Sequence, residues 1–428
     1  MKSSELIKHI ENGGLDGVLS ALYGSGRLEG QRARYLEAVG EFIGLYGERD
    51  VSLFSVPGRS EISGNHTDHQ RGRVIAAAVD LDIIAVASEN GTGKITVKSK
   101  GFTPDICTAE KHQPDASKYE TSQSLLEGVV TGFLNAGHKA AGFDAYTTSD
   151  VFKGSGLSSS AAYEDMIGNI LNHFANGGKI PAPEIAVISK YAENVHFGKP
   201  SGLMDQTACA VGGFAFIDFG NPEKAEIEKL GFGLTEAGYS LCITDTGGNH
   251  ADLTGDYASV PQEMKSVAAL FGKDVLRGIT KAELIEKAPL IREKCGDRAF
   301  LRAYHFIGEN ERVLTAADCL RNRDLNGFLD CILESGRSSF MWLQNVYTTK
   351  NVGEQGLSLA LAVSEEVLGK TERKSAYRVH GGGFAGTVQA FVPNENVEEY
   401  VRTVNGVFGE GKCHVLKIRP EGAIRLDI

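Results

Sequence analysis

The 428-residue sequence predicts an α+β protein of two lobes, an N-terminal lobe built on a mixed sheet and a C-terminal lobe of α/β character. Three observations predict it. The chain is too long for one ordinary hydrophobic core. Strand-like apolar runs are interleaved with helix-spaced ones, without a fixed-period repeat. The 52 glycines fall in short clusters at apparent element ends instead of in a low-complexity block.

In chain order, residues 4–10 and 31–44 carry apolar side chains at helical spacing. Residues 74–88, VIAAAVDLDIIAVAS, and residues 94–97 are expected strands, joined as a hairpin through the turn ENGTG. Residues 123–135 and 160–176 are again helical in spacing, and residues 183–193 form a helix opened by Pro183, with Pro181 just before it. GGFAFIDFG, residues 212–220, is a short strand closed by glycine. The lobe boundary is expected there, giving lobes 1–220 and 221–428. Beyond it, residues 239–244, 376–379 and 388–392 are expected strands, and residues 261–271, 299–321 and 325–345 helices. Trp342 and the apolar stripe around it are expected to be helix core.

Composition narrows the class of ligand. A formal charge of −11 disfavours a grip on nucleic acid, which rests on clustered Lys and Arg. The 7 cysteines are scattered, with no C-x-x-C pair, which argues against a disulfide framework or a structural zinc site. MKSSELIKHIENGG lacks the apolar run of a signal peptide, and no stretch approaches about 18 apolar residues. The expectation is a soluble cytoplasmic protein that acts on small molecules, without membrane or nucleic-acid partners and with its oligomeric state left open.

The polar chemistry is concentrated in a few stretches. SVPGRSEISGNHTDHQRG, residues 55–72, packs charged, amide and histidine side chains between stretches that look like core strands. His66 and His69 form an HxxH pair there, but no third or fourth ligand stands at zinc spacing. GSGLSSSAAYEDMIGNILNHF, residues 154–174, runs two glycines and four serines into an amphipathic helix. Glycine admits close backbone approach, and the free N–H groups of a helix start favour phosphate. The plain alternative is a serine-capped helix. In YAENVHFGKPSGLMDQTACAVGG, residues 191–213, Glu193 near one helix end and Asp205 at the next helix start can face one cleft, one binding a metal and one serving a reacting hydroxyl. The alternative is two solvated helix ends. YRVHGGGFAGTVQAFV, residues 377–392, puts four glycines between two strand-like runs, more than a bulged hairpin needs, which points to close approach of something bulky.

In order and spacing, PGRSEISGNHTDH, GSGLSSSAAYE and HGGGFAG resemble the three motifs of the superfamily of galactokinase, homoserine kinase, mevalonate kinase and phosphomevalonate kinase. The first is similar to the galactokinase sugar-binding signature P-G-R-V-N-L-I-G-E-H-T-D-Y. The resemblance implies a two-lobed sugar-kinase fold with the active site between the lobes, and an ATP-dependent sugar 1-kinase that uses Mg²⁺. ATP would lie on Gly154, Ser155, Gly156, Leu157, Ser158, Ser159 and Ser160. Ser160 and Glu193 would help hold the metal, and Asp205 would face the anomeric hydroxyl with Arg59 beside it. Asn65, His66, Asp68, Gly202 and Tyr257 would line the sugar pocket, with His250 and residues 381–386 in segments that close around it. The chain departs from the signature at Asn65, where the family has Glu, at His69, where it has Tyr, and at Ser60, Glu61 and Ile62, where it has Val-Asn-Leu. A neutral amide at the C6 end of the sugar can donate to a hydroxyl or a carboxylate. Galactose is therefore implied by the family, with galacturonate or another C4-axial sugar as the alternative. A sensor that binds sugar and ATP without catalysis is the reading from another class; the complete S-S-S-A-A run, Ser158 to Ala162, argues against it.

Overall fold

The computed structural model describes residues 1–151, 156–221, 224–248 and 253–427. The chain opens with helices α1 (Ser3–Glu11), α2 (Asp16–Tyr23) and α3 (Leu28–Tyr46). Their apolar stripes, among them Leu6, Ile10, Leu19, Tyr35 and Phe42, cover one face of a sheet at Leu53, Ile84, Val86 and Tyr146.

That sheet has eight strands: β1 (Ser52–Ser63), β2 (Arg73–Glu89), β3 (Lys94–Ser99), β4 (Asp105–Thr108), β5 (Phe143–Ser149), β6 (Phe214–Asp218), β7 (Glu226–Leu230) and β12 (Ile424–Leu426). The main path runs β12-β1-β2-β5-β3-β4, with β6 on β2 and β7 on β6. It is mixed, because β3 and β5 are parallel. The strand β2 stays apolar for most of its 17 residues because both of its faces are covered: α1, α2 and α3 on one side, and α4 (Ser122–Asn135) and α5 (Ser159–Asn176) on the other. β1 falls outside the expected strands, and it carries the first half of the polar stretch, residues 55–63, buried throughout.

The expected hairpin between β2 and β3 does not form. ENGTG is a turn, closed by Asn90 Oδ1 on the Thr92 N–H at 3.0 Å, but β5 is inserted between the two strands, antiparallel to β2 and parallel to β3. Gly142 makes room for it. A Cβ there would lie 2.1 Å from the Thr92 carbonyl oxygen.

After α5 come α6 (Ala182–Tyr191), a π-turn (Ala192–His196) and α7 (Met204–Val211). The expected helix 183–193 thus ends two residues early, and Glu193 sits in the π-turn. The second sheet is antiparallel, in the order β11-β8-β10-β9, from β8 (Tyr239–Asp245), β9 (Ala376–His380), β10 (Thr387–Pro393) and β11 (Cys413–Leu416). Between β8 and β9 lie α8 (Thr254–Ala269), α9 (Lys281–Glu286), α10 (Ala288–Lys294), α11 (Asp297–Arg321), α12 (Leu325–Ser338) and α13 (Gly356–Leu368); α14 (Val397–Phe408) follows β10. The helix expected at 261–271 begins at Thr254 and holds Pro261 inside it. The one expected at 325–345 stops at Ser338 and passes into a π-turn, Ser339–Leu343, closed by Gln344 at φ +58°. Trp342 therefore is not helix core. It lies on that turn, half-buried, edge-on to Tyr304 at 4.9 Å, between exposed Met341 and buried Leu343.

One core joins the two sheets. Val56, Ile75 and Val79 of the first are continuous through Val313 and Ile332 with Leu241 and Phe391 of the second. Among the described residues no helix is long and apolar enough to cross a membrane.

Candidate active site

A bulge in β1 aims Arg59. The register against β2 shifts between Pro57 and Arg59, and the Arg59 N–H leaves the ladder to donate to the Leu157 carbonyl at 3.1 Å. Gly58 permits this, since a Cβ would stand 2.9 Å from that same carbonyl oxygen. Arg59 then donates through Nε to Asp205 Oδ1 at 2.8 Å and through Nη1 to the Gly156 carbonyl. Asp205, on the first turn of α7, accepts a second bond on Oδ2 from Ser158 Oγ at 2.5 Å.

These bonds rule out the plain cap at Ser158. Ser158 stands at the cap position of α5 in a left-handed conformation, φ +56°, but its hydroxyl does not cap the helix. It is spent on Asp205. Burial alone would raise the pKa of Asp205, yet the Arg59 charge and hydrogen bond, with help from Ser158, hold it below the usual carboxylate range. The side chain keeps 22 % of its surface exposed. Leu157 is fully buried, and its carbonyl is taken by the Arg59 N–H. Gly154, Ser155 and His250 lie outside the described residues.

Next to this pair, Glu193 is 1 % exposed and accepts four side-chain donors: Ser160 Oγ at 3.2 Å and Lys199 Nζ at 2.8 Å on Oε1, Ser201 Oγ at 2.6 Å and Gln206 Nε2 at 2.8 Å on Oε2. Gln206 Nε2 also donates to Glu164 Oε2 at 3.0 Å. Burial, with Glu193 nearby, pushes Glu164 well above the ordinary carboxyl range, so it is a neutral buttress. The hydroxyl of Ser160 and the carboxylate of Glu193 are hard oxygen donors, the kind Mg²⁺ takes. That ion keeps several waters and needs only one or two protein carboxylates. The two residues fit it, with the half-exposed Lys199 side chain free to leave Oε1.

The expected sugar residues divide into two groups. Asp68 and Gly202 are neighbours: a Cβ on Gly202 would sit 2.8 Å from Asp68 Oδ2. Asn65, His66 and Tyr257 instead hold the glycine loop between β9 and β10. Asn65 Nδ2 donates to the Gly381 carbonyl at 2.6 Å, His66 Nε2 to the Gly382 carbonyl at 2.9 Å, and Tyr257 Oη to the Gly383 carbonyl at 2.8 Å. The bulky partner that the glycines admit is the protein itself. A Cβ at Gly382 would meet Tyr257 Cε1 at 2.6 Å, and one at Gly383 the Asn345 carbonyl oxygen at 2.0 Å. Because a carbonyl only accepts, His66 carries its proton on Nε2 and leaves Nδ1 as an acceptor. Burial pushes its pKa down to about 4, against the pull of the Gly382 carbonyl, so it is neutral. Asn65 has no exposed surface, and its Oδ1 accepts from Asn345 Nδ2 at 2.7 Å and Ser339 Oγ at 3.3 Å.

Sequence reasoning missed several participants. Lys199, Ser201 and Gln206 stand inside the quoted stretch around Glu193 and Asp205, so their spacing was visible but not their direction. His380 was likewise inside the third motif. It accepts or donates between Ser60 Oγ at 3.1 Å and Thr387 Oγ1 at 2.8 Å, and burial with the nearby Arg59 charge pushes it down to about 3.

A serine-bearing helix start beside an arginine-paired aspartate, set against a glycine loop from a second sheet, defines a small-molecule kinase that phosphorylates a hydroxyl. Residues 124–213 match the GHMP kinases N terminal domain, and residues 40–89 the galactokinase galactose-binding signature. The galactokinase of Actinobacillus pleuropneumoniae serotype 3 is 30 % identical over 86 % of this chain and 92 % of its own length. That of Streptomyces coelicolor is 29 % identical over the same shares. In structure, Lactococcus lactis galactokinase complexed with galactose matches with a TM-score of 0.74 at 22 % identity, over 90 % of this chain and 98 % of that one. The chain belongs to the galactokinase family.

Proposed function

We propose that this chain transfers the γ-phosphoryl group of ATP to the anomeric hydroxyl of galactose, giving galactose 1-phosphate and ADP. The observation that supports it is the carboxylate of Asp205, held ionised by Arg59 and tied by Ser158 to the loop that leads into α5. The anomeric oxygen forms a bond to the γ-phosphorus as the bond to the bridging β–γ oxygen breaks. The hydroxyl proton goes to Asp205. A carboxylate below its ordinary range is a weak base, so its main contribution is to orient the hydroxyl and stabilise the oxygen as charge develops; a loose phosphoryl-transfer transition state asks for no more. Arg59 keeps that carboxylate charged, and the N–H groups at the start of α5 face the phosphates.

Ser160 and Glu193 would hold Mg²⁺, which when bound draws charge from the phosphate oxygens. Asp68 and the Nδ1 of His66 offer acceptors for sugar hydroxyls, with Gly202 giving clearance beside Asp68. The acidic surface and free thiols suit a reducing cytoplasm. A coupled assay of ADP release over a panel of hexoses and uronates tests the reading. Galactose is expected to lead; turnover with galacturonate alone would replace the substrate, and sugar binding without any turnover would make the chain a sensor.

A further inference from the structure

The signature that this chain resembles carries Asn and, four residues on, Glu. This chain carries Glu61 and, four residues on, Asn65. The two residue types have changed places, and in the structure the exchanged residues touch: Asn65 Nδ2 donates to Glu61 Oε1 at 3.0 Å. The same Glu61 oxygen accepts from Arg378 Nη2 at 3.1 Å, and Arg378, with no exposed surface, also donates through Nη1 to the Ile62 carbonyl at 2.9 Å.

Asn65 therefore faces two acceptors, Glu61 and the Gly381 carbonyl, and two donors, Asn345 and Ser339. An amide satisfies both kinds at once. A glutamate at that position would have no proton for either acceptor and would set a second negative charge against Glu61 in a dry site, with Arg378 as the nearby buried cation.

We propose that Glu61, Asn65 and Arg378 form one positioning unit that latches the glycine loop at Gly381 over the sugar end of the site, so that residues 61 and 65 can change only together. The ligand named here rests on the galactokinase reading; the latch itself does not. Three variants, Asn65→Glu, Glu61→Asn and the double, are compared with the wild-type protein by thermal unfolding and by the KM for galactose and for ATP. Asn65→Glu is expected to lower Tm and raise the galactose KM about tenfold while the ATP KM stays within about twofold, and the same change made on Glu61→Asn to cost clearly less on both Tm and galactose KM. Should Asn65→Glu fail to fold, the double folding where the single does not has the same meaning. Penalties that add, or a double that also fails to fold, would overturn the proposal, as would sugar and ATP constants that rise together. Absence of galactose turnover in the wild-type protein, with the Tm coupling intact, would sink the substrate reading and leave the latch standing.

Discussion

Asp205 keeps its charge where burial would take it away, and the reason is the pair of bonds from Arg59 and Ser158. Asp205→Asn preserves the shape, removes the charge and leaves the buried Arg59 guanidinium facing an amide. Turnover is expected to fall by roughly 10²–10⁴-fold, with ATP affinity by calorimetry nearly unchanged; near-normal turnover would remove Asp205 from the mechanism. The histidines make a separate prediction about pH. His66 and His380 are held near about 4 and about 3 by burial, below the value of about 6.5 of an unfolded chain. The unfolded state therefore binds more protons as the pH drops, and the stability these residues contribute is complete above about pH 6.5 and lost progressively below it. Asp205, also lowered, loses its contribution only as the pH falls below the ordinary carboxylate range. A Tm profile should fall between pH 6.5 and 4, and the fall should be shallower in His380→Asn; a flat profile over that range would contradict the assignment.

At the scale of elements, the glycine loop separates two causes of glycine usage. Gly383 has φ +79° and its missing Cβ would sit 2.0 Å from the Asn345 backbone, whereas Gly381 has φ +67° and open space around it. Gly383→Ala is expected to cost about 3 kcal/mol or more in urea unfolding, from strain plus the clash. Gly381→Ala carries the backbone term alone, about 1 kcal/mol. Equal penalties would mean that the close approach to Asn345 plays no part. The sequence showed the helices well in their middles, where apolar spacing is local, and erred where a distant segment decides. The hairpin through ENGTG failed because β5 arrives about 50 residues later and pairs with both strands. The helix through Trp342 failed because the chain turns at Ser339–Leu343 and brings Asn345 onto Asn65, far away in sequence. Two partners of Asn65, Asn345 and the Gly381 carbonyl, lie 280 and 316 residues away in sequence, and no local pattern encodes them.

The molecule as a whole is tied together around Asp82 in the middle of β2. Asp82 and Arg419 are both fully buried, and Asp82 also accepts from Tyr23 and Arg34, so the N-terminal helices, the sheet and the C-terminal segment meet at one carboxylate. The end of the chain returns as β12 to the edge of β1, the strand that carries Arg59. The mixed α and β character and the three motif stretches were legible because glycine and serine clusters mark element ends, while this long-range closure was not, since it depends on charges about 340 residues apart finding each other. The scaffold thus holds Arg59 and Asp205 against Gly156 and Ser158, the arrangement that the proposed phosphoryl transfer uses. Phosphorus and proton NMR of a reaction with galactose and ATP tests this most directly. The expected result is one phosphomonoester, on the anomeric oxygen, formed with ADP in equal amount; phosphate on another carbon, or ATP hydrolysed to free phosphate with the sugar unchanged, would contradict it.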